Sequence, residues 1–399
     1  MSILIVLVTF ILLLWVWAHV EFTRTRRTQP FLRADASVDG PPRRTPKLSV
    51  LVPAHNEERN IRLILDSLLI QDYADFEVIV GSDRSIDDTV SIVREVSARD
   101  PRVRLLESRE VPQDWTGKGY VLQQASAIAR GEVLLFLDAD VVLDAGALSA
   151  MVAHFVRNRL DMFSMFLRHE SGGIWDESVH AVIGPALMLR FPVKEINDPD
   201  SSVAMANGQC IMMRADVYRA IGGHESVRSI VQEDLALAKL VKGRGYRLNM
   251  AYGVDLAAGR WYPSVTALWS GWSRILYGLS EGRITQMLAG AILVTFAALL
   301  PFFILAISVG LLLTASTGVL PATLLGLSLL QVSIMMSLVM RFHRVCRGNV
   351  ARLILYPPAA LVTLGILLNC IGKRLRGGGM TWRGKRYWSG PHDLRATRS

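Results

Sequence analysis

The sequence has few cysteines, and its first apolar run contains no charged residue. The first absence argues against disulfide and zinc-binding frameworks, and the second argues against a cleaved signal peptide. Its three cysteines, Cys210, Cys346 and Cys370, are scattered over 399 residues, so neither a disulfide framework nor a cysteine-bound zinc site is expected. Residues 2–20 contain no Lys or Arg, whereas a secretory signal peptide carries positive charge before its apolar core. We therefore expect residues 1–22 to form a transmembrane anchor rather than a cleaved signal.

The composition lies between that of a soluble enzyme and that of a membrane-embedded protein. Hydrophobic residues make up 51% of the chain and charged residues 20%, and the mean hydropathy is +0.31. At roughly 100 to 200 residues per domain, the polar middle suits one large domain between apolar ends. The predicted organisation is an anchor (residues 1–22), a linker (23–46), a sheet domain ending in an amphipathic interfacial or buried helix (47–283), a transmembrane or re-entrant region (284–372) and a basic tail (373–399).

Positive charge lies beside the apolar segments. Arg24, Arg26 and Arg27 follow the anchor, and by the positive-inside rule they place the next domain in the cytoplasm, on the cell membrane. A full crossing by residues 353–371 would put the basic tail outside, so we expect a re-entrant or interfacial segment there. The excess positive charge behind the net charge of +9 lies beside the apolar segments and in the basic tail. This distribution favours anionic lipid headgroups over nucleic acid as the binding partner of the chain.

The middle of the chain alternates apolar strands with amphipathic helices. Strands are predicted at residues 48–52, 76–80, 103–106, 133–137 and 161–167, with a helix between each pair. This alternation predicts an α/β fold with a mainly parallel sheet and right-handed crossovers. Ligands of such sheets bind outside the carboxyl ends of the strands.

Acidic residues follow three of these strands. Glu57 follows the first strand, Asp83 the second, and Asp138 and Asp140 the fourth. Together they suit a nucleoside diphosphate: Asp83 can accept a hydrogen bond from a base N–H, and Asp140 can hold Mg²⁺ or Mn²⁺ through oxygen. The alternative is that each acid solvates a turn or caps the next helix.

Two helix starts carry further candidates. Gly117 lets the backbone approach a ligand and Lys118 supplies charge for a phosphate; a solvated lysine is the alternative. Glu233 and Asp234 open a later helix, where a carboxylate can act as a general base. On spacing alone, an acidic pair favoured by the helix dipole is the better explanation of Glu233 and Asp234. His55 and His224 are explained by their neighbours rather than as metal ligands.

Several motifs in order resemble the family 2 glycosyltransferases with the GT-A fold. They are Val-Pro-Ala-His-Asn-Glu-Glu (52–58), Ser-Asp-Arg-Ser-Ile-Asp-Asp-Thr (82–89), Thr-Gly-Lys (116–118), Leu-Asp-Ala-Asp (137–140) and Glu-Asp (233–234). Asp-Trp-Thr-Gly-Lys (114–118), Gly-Gly-His (222–224), Gly-Trp-Ser-Arg (271–274) and Thr-Trp-Arg-Gly-Lys-Arg-Tyr (381–387) look like the membrane-anchored enzymes that glycosylate carotenoid or hopanoid lipids.

The resemblance implies an inverting transfer from a UDP-sugar to the hydroxyl or carboxyl of a membrane lipid. It implies Asp234 as the base with Glu233 beside it, and a metal site of Asp138 and Asp140 for Mg²⁺ or Mn²⁺. The donor-binding residues expected are Pro53, Asn56, Glu57, Asp83, Gly117, Lys118, Asp138 and Arg274. The acceptor-binding residues expected are Asn207, Gly208, Gln209 and Trp272, although the first three also fit a plain strand end.

Two departures from the family pattern matter. Ser82-Asp83 replaces the usual Asp-Asp, which removes one expected base contact. Of the Gln-x-x-Arg-Trp motif of processive synthases, Gly271-Trp272-Ser273-Arg274-Ile275 keeps only the arginine, so we expect addition of a single sugar. The alternatives are a polysaccharide synthase, a polyprenyl-phosphate glycosyltransferase, a nucleotidyltransferase and a non-catalytic membrane scaffold.

Overall fold

The computed structural model describes residues 2–34, 45–170, 172–260, 262–314, 318–377, 380–382 and 385–387. Most of the predicted linker, at residues 35–44, and the end of the predicted basic tail, at residues 388–399, lie outside these described residues.

The chain divides into two compact units. We call Gln29–Glu170 with Phe191–Arg260 the sheet unit, and Met1–Thr28 with Ser171–Arg190 and Trp261–Ser399 the helical unit. Ser171–Arg190 thus interrupts the sheet unit in the sequence and belongs to the helical unit. The predicted domain limits, residues 47 and 283, stay predictions.

The sheet unit is built on apolar strands. They are β1 (Leu48–Ala54), β2 (Phe76–Asp83), β3 (Val103–Ser108), β4 (Val133–Leu137), β5 (Val141–Leu143), β6 (Met162–Phe166), β7 (Arg168–Glu170), β8 (Cys210–Arg214), β9 (Leu248–Tyr252) and β10 (Ala257–Arg260). All eight residues of β2 are buried, as is typical of a parallel strand covered on both faces. The sheet unit has helices at Ile61–Leu69, Thr89–Arg99, Gly117–Ile128, Ala147–Arg157, Val193–Asn197, Ala215–Ala220 and Glu233–Gly243.

Seven strands form one sheet in the order β3-β2-β1-β4-β8-β6-β9, and β5, β10 and β7 form a smaller one. In the large sheet, β8 alone runs antiparallel to its neighbours, β4 and β6; the other described pairs are parallel. The mainly parallel fold predicted from the alternation is confirmed. The large sheet therefore brings the carboxyl ends of β1, β2 and β4 to one edge.

The antiparallel strand β8 has a direct consequence for the site. Its first residue, Cys210, pairs with Leu137, the last residue of β4. The segment before β8, residues 207–209, therefore lies at the edge where the acidic strand ends lie. β8 itself begins only at Cys210.

The helical unit contains four helices that are long and apolar enough to cross a membrane: Ser2–Thr28, Ile284–Thr314, Val319–Val345 and Val350–Leu375. Two further helices, Ile174–Arg190 and Val265–Leu279, complete the described helical part, and Met380–Trp382 (β11) pairs with Lys385–Tyr387 (β12). One long apolar helix at the amino-terminal end and three towards the carboxyl-terminal end confirm the predicted placement of apolar segments. That the last of them is re-entrant stays a prediction.

Proline acts differently in two of these helices. The helix widens to a π-helical turn at Val294–Leu299, directly before Pro301, because proline cannot donate the backbone hydrogen bond of a regular turn. Pro357 and Pro358, in contrast, lie in the first turn of Tyr356–Leu375, where the backbone N–H groups have no partner within the helix. These two prolines therefore leave that helix uninterrupted.

Candidate active site

The loop after β1 is hydrogen-bonded to the loop after β2. The backbone N–H of Asn56 donates to Ser85 Oγ at 3.1 Å, and Asn56 Oδ1 accepts from the backbone N–H of Ile86 at 2.9 Å. Asn56 adopts φ +57°, a left-handed conformation that asparagine tolerates better than most residues. Pro53, inside β1, pairs with Gly81 of β2. In this structure Asn56 and Pro53 therefore position the two strand ends.

Asp83, at the end of β2, is 2% exposed. Its Oδ1 accepts from Arg84 Nε at 2.7 Å, and His55 Nδ1 lies against its backbone carbonyl oxygen. Its Oδ2 is buried without a hydrogen-bond partner among the described residues. A buried polar atom without a partner is costly, so this oxygen is suited to accept an N–H from a bound molecule.

Lys118 joins two acidic groups that are far apart in the chain. Its Nζ lies 2.8 Å from Asp138 Oδ1 and 2.8 Å from Glu233 Oε1, and donates to the carbonyl oxygen of Gly208 at 3.3 Å. Burial acts to lower the pKa of Lys118, but the carboxylates of Asp138 and Glu233 outweigh it and raise that pKa above its ordinary value. The ammonium is therefore charged and holds both carboxylates.

The helix that presents Lys118 is fixed at its start. Thr116 is the N-cap residue, and its Oγ1 accepts from the backbone N–H of Gly119 at 3.1 Å, a cap that typically stabilises a helix by about 1 kcal/mol. A β-carbon at Gly117 would overlap Asp83 Oδ2. In the Thr-Gly-Lys sequence, Thr116 therefore caps the helix, Gly117 allows Asp83 to approach the backbone, and Lys118 supplies the positive charge.

Asp140 is buried near two other acids, while the nearby Lys118 ammonium acts to lower its pKa. Burial raises its pKa to about 7, with smaller contributions from Asp138 and Glu57, and its Oδ1 has no hydrogen-bond partner in the described part of the chain. Carboxylate oxygens that repel one another are stabilised by a cation, and hard divalent ions prefer oxygen ligands. No group of three or more candidate metal ligands occurs among the described residues, so the metal site predicted at Asp138 and Asp140 stays a prediction.

Asp234 is held by two backbone amides. Its Oδ2 accepts from Gly208 N–H at 3.0 Å, and its Oδ1 accepts from its neighbour Leu235 N–H at 2.7 Å. Burial, followed by the Glu233 carboxylate, raises the pKa of Asp234 to about 6. For Glu233 itself, burial acts to raise the pKa, but Lys118 outweighs it and the net shift is downward. Two adjacent acids thus differ in basicity, and Asp234 is the stronger base.

The segment before β8 links these groups. Gly208 donates to Asp234 and accepts from Lys118. Asn207 is tied to β6 through its Nδ2, which donates to the carbonyl oxygen of Met165 at 3.0 Å, and the carbonyl oxygen of Gln209 accepts from Asp138 N–H at 3.0 Å. These three predicted acceptor residues adjoin the acidic cluster; that they contact an acceptor stays a prediction.

Trp272 and Arg274 belong to the helix Val265–Leu279 of the helical unit. Trp272 is 1% exposed, and its ring centroid lies 6.4 Å from that of His180. Ser273, between them, accepts from Asn369 Nδ2 at 3.4 Å. This helix packs within the helical unit, and the predicted binding roles of Trp272 and Arg274 stay predictions.

The sequence analysis did not identify Tyr218, which supports His224. The Tyr218 hydroxyl lies 2.7 Å from His224 Nδ1, and the His224 ring packs edge-on against Phe136, 5.1 Å between centroids. Burial lowers the pKa of His224 to about 4, so it is neutral at pH 7. His224 is thus a packed, hydrogen-bonded residue. Thr116 was named in the sequence as part of the Thr-Gly-Lys motif, but its capping role was not predicted, although a Thr directly before a helix is a readable cap signal.

The sequence of the sheet unit is similar to known proteins. Residues 49–222 match the family model of glycosyl transferase family 2. A GalNAc(5)-diNAcBac-PP-undecaprenol beta-1,3-glucosyltransferase of Campylobacter jejuni is 35% identical over 133 residues, 33% of this chain and 42% of that protein. A 4,4'-diaponeurosporenoate glycosyltransferase of Staphylococcus aureus is 25% identical over 255 residues, 63% of this chain and 66% of that protein. The chain thus spans less than half of the first relative and just under two thirds of the second.

The fold has a known counterpart. A mannosyltransferase from Pyrobaculum calidifontis, solved in complex with GDP-Man and Mn²⁺, superposes with a TM-score of 0.51 at 18% identity, covering 93% of this chain and 99% of that one. At this identity the likeness concerns the fold.

Proposed function

We propose that the chain transfers a single sugar from a UDP-linked sugar to a membrane lipid. The match of residues 49–222 to the family model of glycosyl transferase family 2 supports this proposal. The acceptor group is a hydroxyl or carboxyl of a lipid such as a carotenoid or hopanoid. The observation that carries the proposal is the contact of Lys118 with both Asp138 and Glu233 at 2.8 Å, which joins the strand-end acids to the start of the helix that bears Asp234.

The donor's base and diphosphate have separate partners. Asp83 Oδ2, buried without a hydrogen-bond partner among the described residues, accepts the N–H of the uracil ring. Asp138 and Asp140 hold a divalent cation, Mg²⁺ or Mn²⁺, which when bound neutralises charge on the leaving diphosphate. Glu57 adds negative charge near Asp140 and so strengthens the preference of this position for a cation.

Asp234 acts as the general base. The acceptor hydroxyl oxygen attacks the anomeric carbon, the bond from that carbon to the diphosphate oxygen breaks, and the hydroxyl proton passes to Asp234. Because the nucleophile and the leaving group lie on opposite sides, the anomeric configuration inverts. General-base catalysis typically contributes roughly 10²–10⁴-fold to the rate. Gly208 N–H, 3.0 Å from Asp234 Oδ2, orients the carboxylate.

A lipid acceptor accounts for the membrane segments. Four helices are long and apolar enough to cross a membrane. The two relatives are named for the acceptors GalNAc(5)-diNAcBac-PP-undecaprenol and 4,4'-diaponeurosporenoate. We propose a protein of the cell membrane whose sheet unit faces the cytoplasm, because Arg24, Arg26 and Arg27 follow the first apolar run. The similarity to the undecaprenol-dependent enzyme favours a polyprenyl-linked acceptor as the second candidate.

Lipid mass spectrometry tests the proposal. Lipids from cells that express the chain are compared with lipids from cells that express Asp234→Asn. We expect one new lipid whose mass exceeds that of its precursor by one sugar, only with the unaltered chain. A ladder of products would indicate a polysaccharide synthase, and a product on a polyprenyl carrier would indicate the second candidate. Release of pyrophosphate would indicate a nucleotidyltransferase. No difference between the two lipid samples would indicate a non-catalytic scaffold.

A further inference from the structure

The helical unit contains an open groove that the proposed transfer reaction does not use. It lies beside the helix Ser2–Thr28 and has a volume of about 510 Å³. Its apolar lining comes from Val16 and Val20 of that helix and from Ile334 of the helix Val319–Val345. Val16 and Val20 are 39% and 42% exposed, so this apolar surface is open.

One end of the groove is basic. Arg24 and Arg27 line it, directly after the apolar part of the helix. Arg24 Nη1 contacts Glu21 Oε1 at 2.8 Å, with side chains 71% and 36% exposed. Such an exposed pair contributes little to stability, so Arg24 can exchange Glu21 for a stronger anion. Arg27 has no carboxylate partner among the described residues.

A third arginine lies beside this end. Arg341 Nη1 donates to His19 Nδ1 at 2.7 Å, and its Nη2 donates to Thr23 Oγ1 at 2.9 Å. Its guanidinium lies 5.3 Å from the centroid of the Phe22 ring. All these partners are uncharged when His19 accepts through a ring nitrogen, so they orient Arg341 without cancelling its charge. His19 and Thr23 also line the groove.

We propose that this groove binds an anionic phospholipid. The phosphate group is held by Arg24 and Arg27 in the field of Arg341, and one acyl chain lies along Val16, Val20 and Ile334. Arg24, Arg27 and Arg341 bring three positive charges to this end, and of these only Arg24 contacts the Glu21 carboxylate, so the basic end keeps a net positive charge. The change from apolar to basic lining along one helix matches the change from acyl chain to headgroup at a membrane surface.

Native mass spectrometry of the full chain in detergent tests the inference without reference to sugar transfer. The chain is mixed with phosphatidylglycerol or with phosphatidylcholine of the same acyl chains. We expect phosphatidylglycerol to remain bound preferentially. The double substitution Arg24→Gln with Arg27→Gln should weaken this binding at least roughly tenfold, since each arginine near a membrane surface attracts an anionic lipid by about one kcal/mol.

Two further variants separate the groove from general charge. Arg26→Gln removes one positive charge from the same helix, but Arg26 does not line the groove, so binding should be retained. Ile334→Trp keeps every charge but fills the apolar part and should weaken binding. Equal loss in Arg26→Gln, no preference for the anionic lipid, or unchanged binding in both the double variant and Ile334→Trp would overturn the proposal.

Inorganic phosphate is the remaining competitor. If millimolar phosphate displaces phosphatidylglycerol completely, the site recognises phosphate alone and the lipid assignment is wrong. Retention of the lipid under those conditions supports a contribution from the apolar lining. Because every readout is lipid binding, these results do not depend on whether the chain transfers a sugar.

Discussion

Gly117 lies against Asp83 so closely that any β-carbon at position 117 would overlap Oδ2 of the Asp83 carboxylate. This oxygen is the buried one that has no hydrogen-bond partner in the described part of the chain. The glycine therefore preserves the position of an atom that we assign to the nucleotide base. The contact explains the small residue in the Thr-Gly-Lys sequence without reference to backbone freedom.

Gly117→Ala is expected to weaken donor binding more than it changes the chemical step. The added methyl group displaces Asp83 and removes one charged hydrogen bond, typically worth about 1.5–3 kcal/mol, so the KM for the donor should rise roughly tenfold or more. Steady-state kinetics with varied donor measure this. Gly243→Ala is the matched control, because nothing lies within 4 Å of a β-carbon there. An unchanged donor KM in Gly117→Ala would contradict the assignment.

Lys118→Met is expected to destabilise the sheet unit. It leaves Asp138 and Glu233 facing each other without the ammonium that lies 2.8 Å from both. Breaking a buried ion pair typically costs about 3–5 kcal/mol; since the Lys118 side chain is 28% exposed, we expect the lower end. Thermal unfolding in detergent measures the loss. Adding Glu233→Gln should restore part of the stability, and failure to do so would show that the two residues are not coupled.

The rate should depend on pH through Asp234. A general base must be ionised, and burial raises the pKa of Asp234 to about 6. At saturating donor and metal, kcat should therefore be constant above neutrality and fall about tenfold per pH unit well below pH 6. Donor affinity, measured in parallel, should not decrease when Asp234 becomes protonated in this pH range. A kcat that stays constant down to pH 4 would contradict the assigned base.

A divalent cation bound at Asp138 and Asp140 should stabilise the protein against unfolding. Asp138 and Asp140 are the only acids that we assign to a cation, and Asp140 Oδ1 lacks a hydrogen-bond partner among the described residues. We expect Mn²⁺ or Mg²⁺, added with UDP, to raise the melting temperature of the unaltered chain but not that of Asp140→Asn. Asp216→Asn is the control, because Asp216 is a surface residue paired with Arg214. An equal shift in Asp140→Asn would refute the metal site.

The strand ends were predictable because their signals are local. The apolar run at residues 133–137 indicates a buried strand, and a parallel sheet brings acids that follow such strands to one edge. The contact between Lys118 and Glu233 was not predictable. It depends on antiparallel β8, which places Gly208 beside residues about ninety positions earlier in the chain, and sequence spacing does not report such a pairing.

The helix Ile174–Arg190 shows a second limit. It belongs to the helical unit, but it contains Asp176 and Glu177, which argue against an apolar environment. The structure explains how Glu177 is buried. His343 Nε2 lies 3.2 Å from its Oε2, the backbone N–H of Asn349 donates to the same oxygen at 2.9 Å, and Arg352 donates to Oε1 at 2.9 Å. These partners come from distant positions, so hydropathy along the chain cannot reveal them.

The most direct test of the account separates donor binding from turnover in Asp234→Asn. The substitution keeps the size of the side chain but removes the base, whereas Asp83, Lys118, Asp138 and Asp140 are unchanged. Calorimetric titration with UDP-sugar and metal should give an affinity within a few-fold of the unaltered chain, while kcat should fall by roughly 10²–10⁴-fold. Unchanged turnover, or loss of donor binding equal to the loss of turnover, would contradict the assignment of Asp234 as the base at a shared donor site.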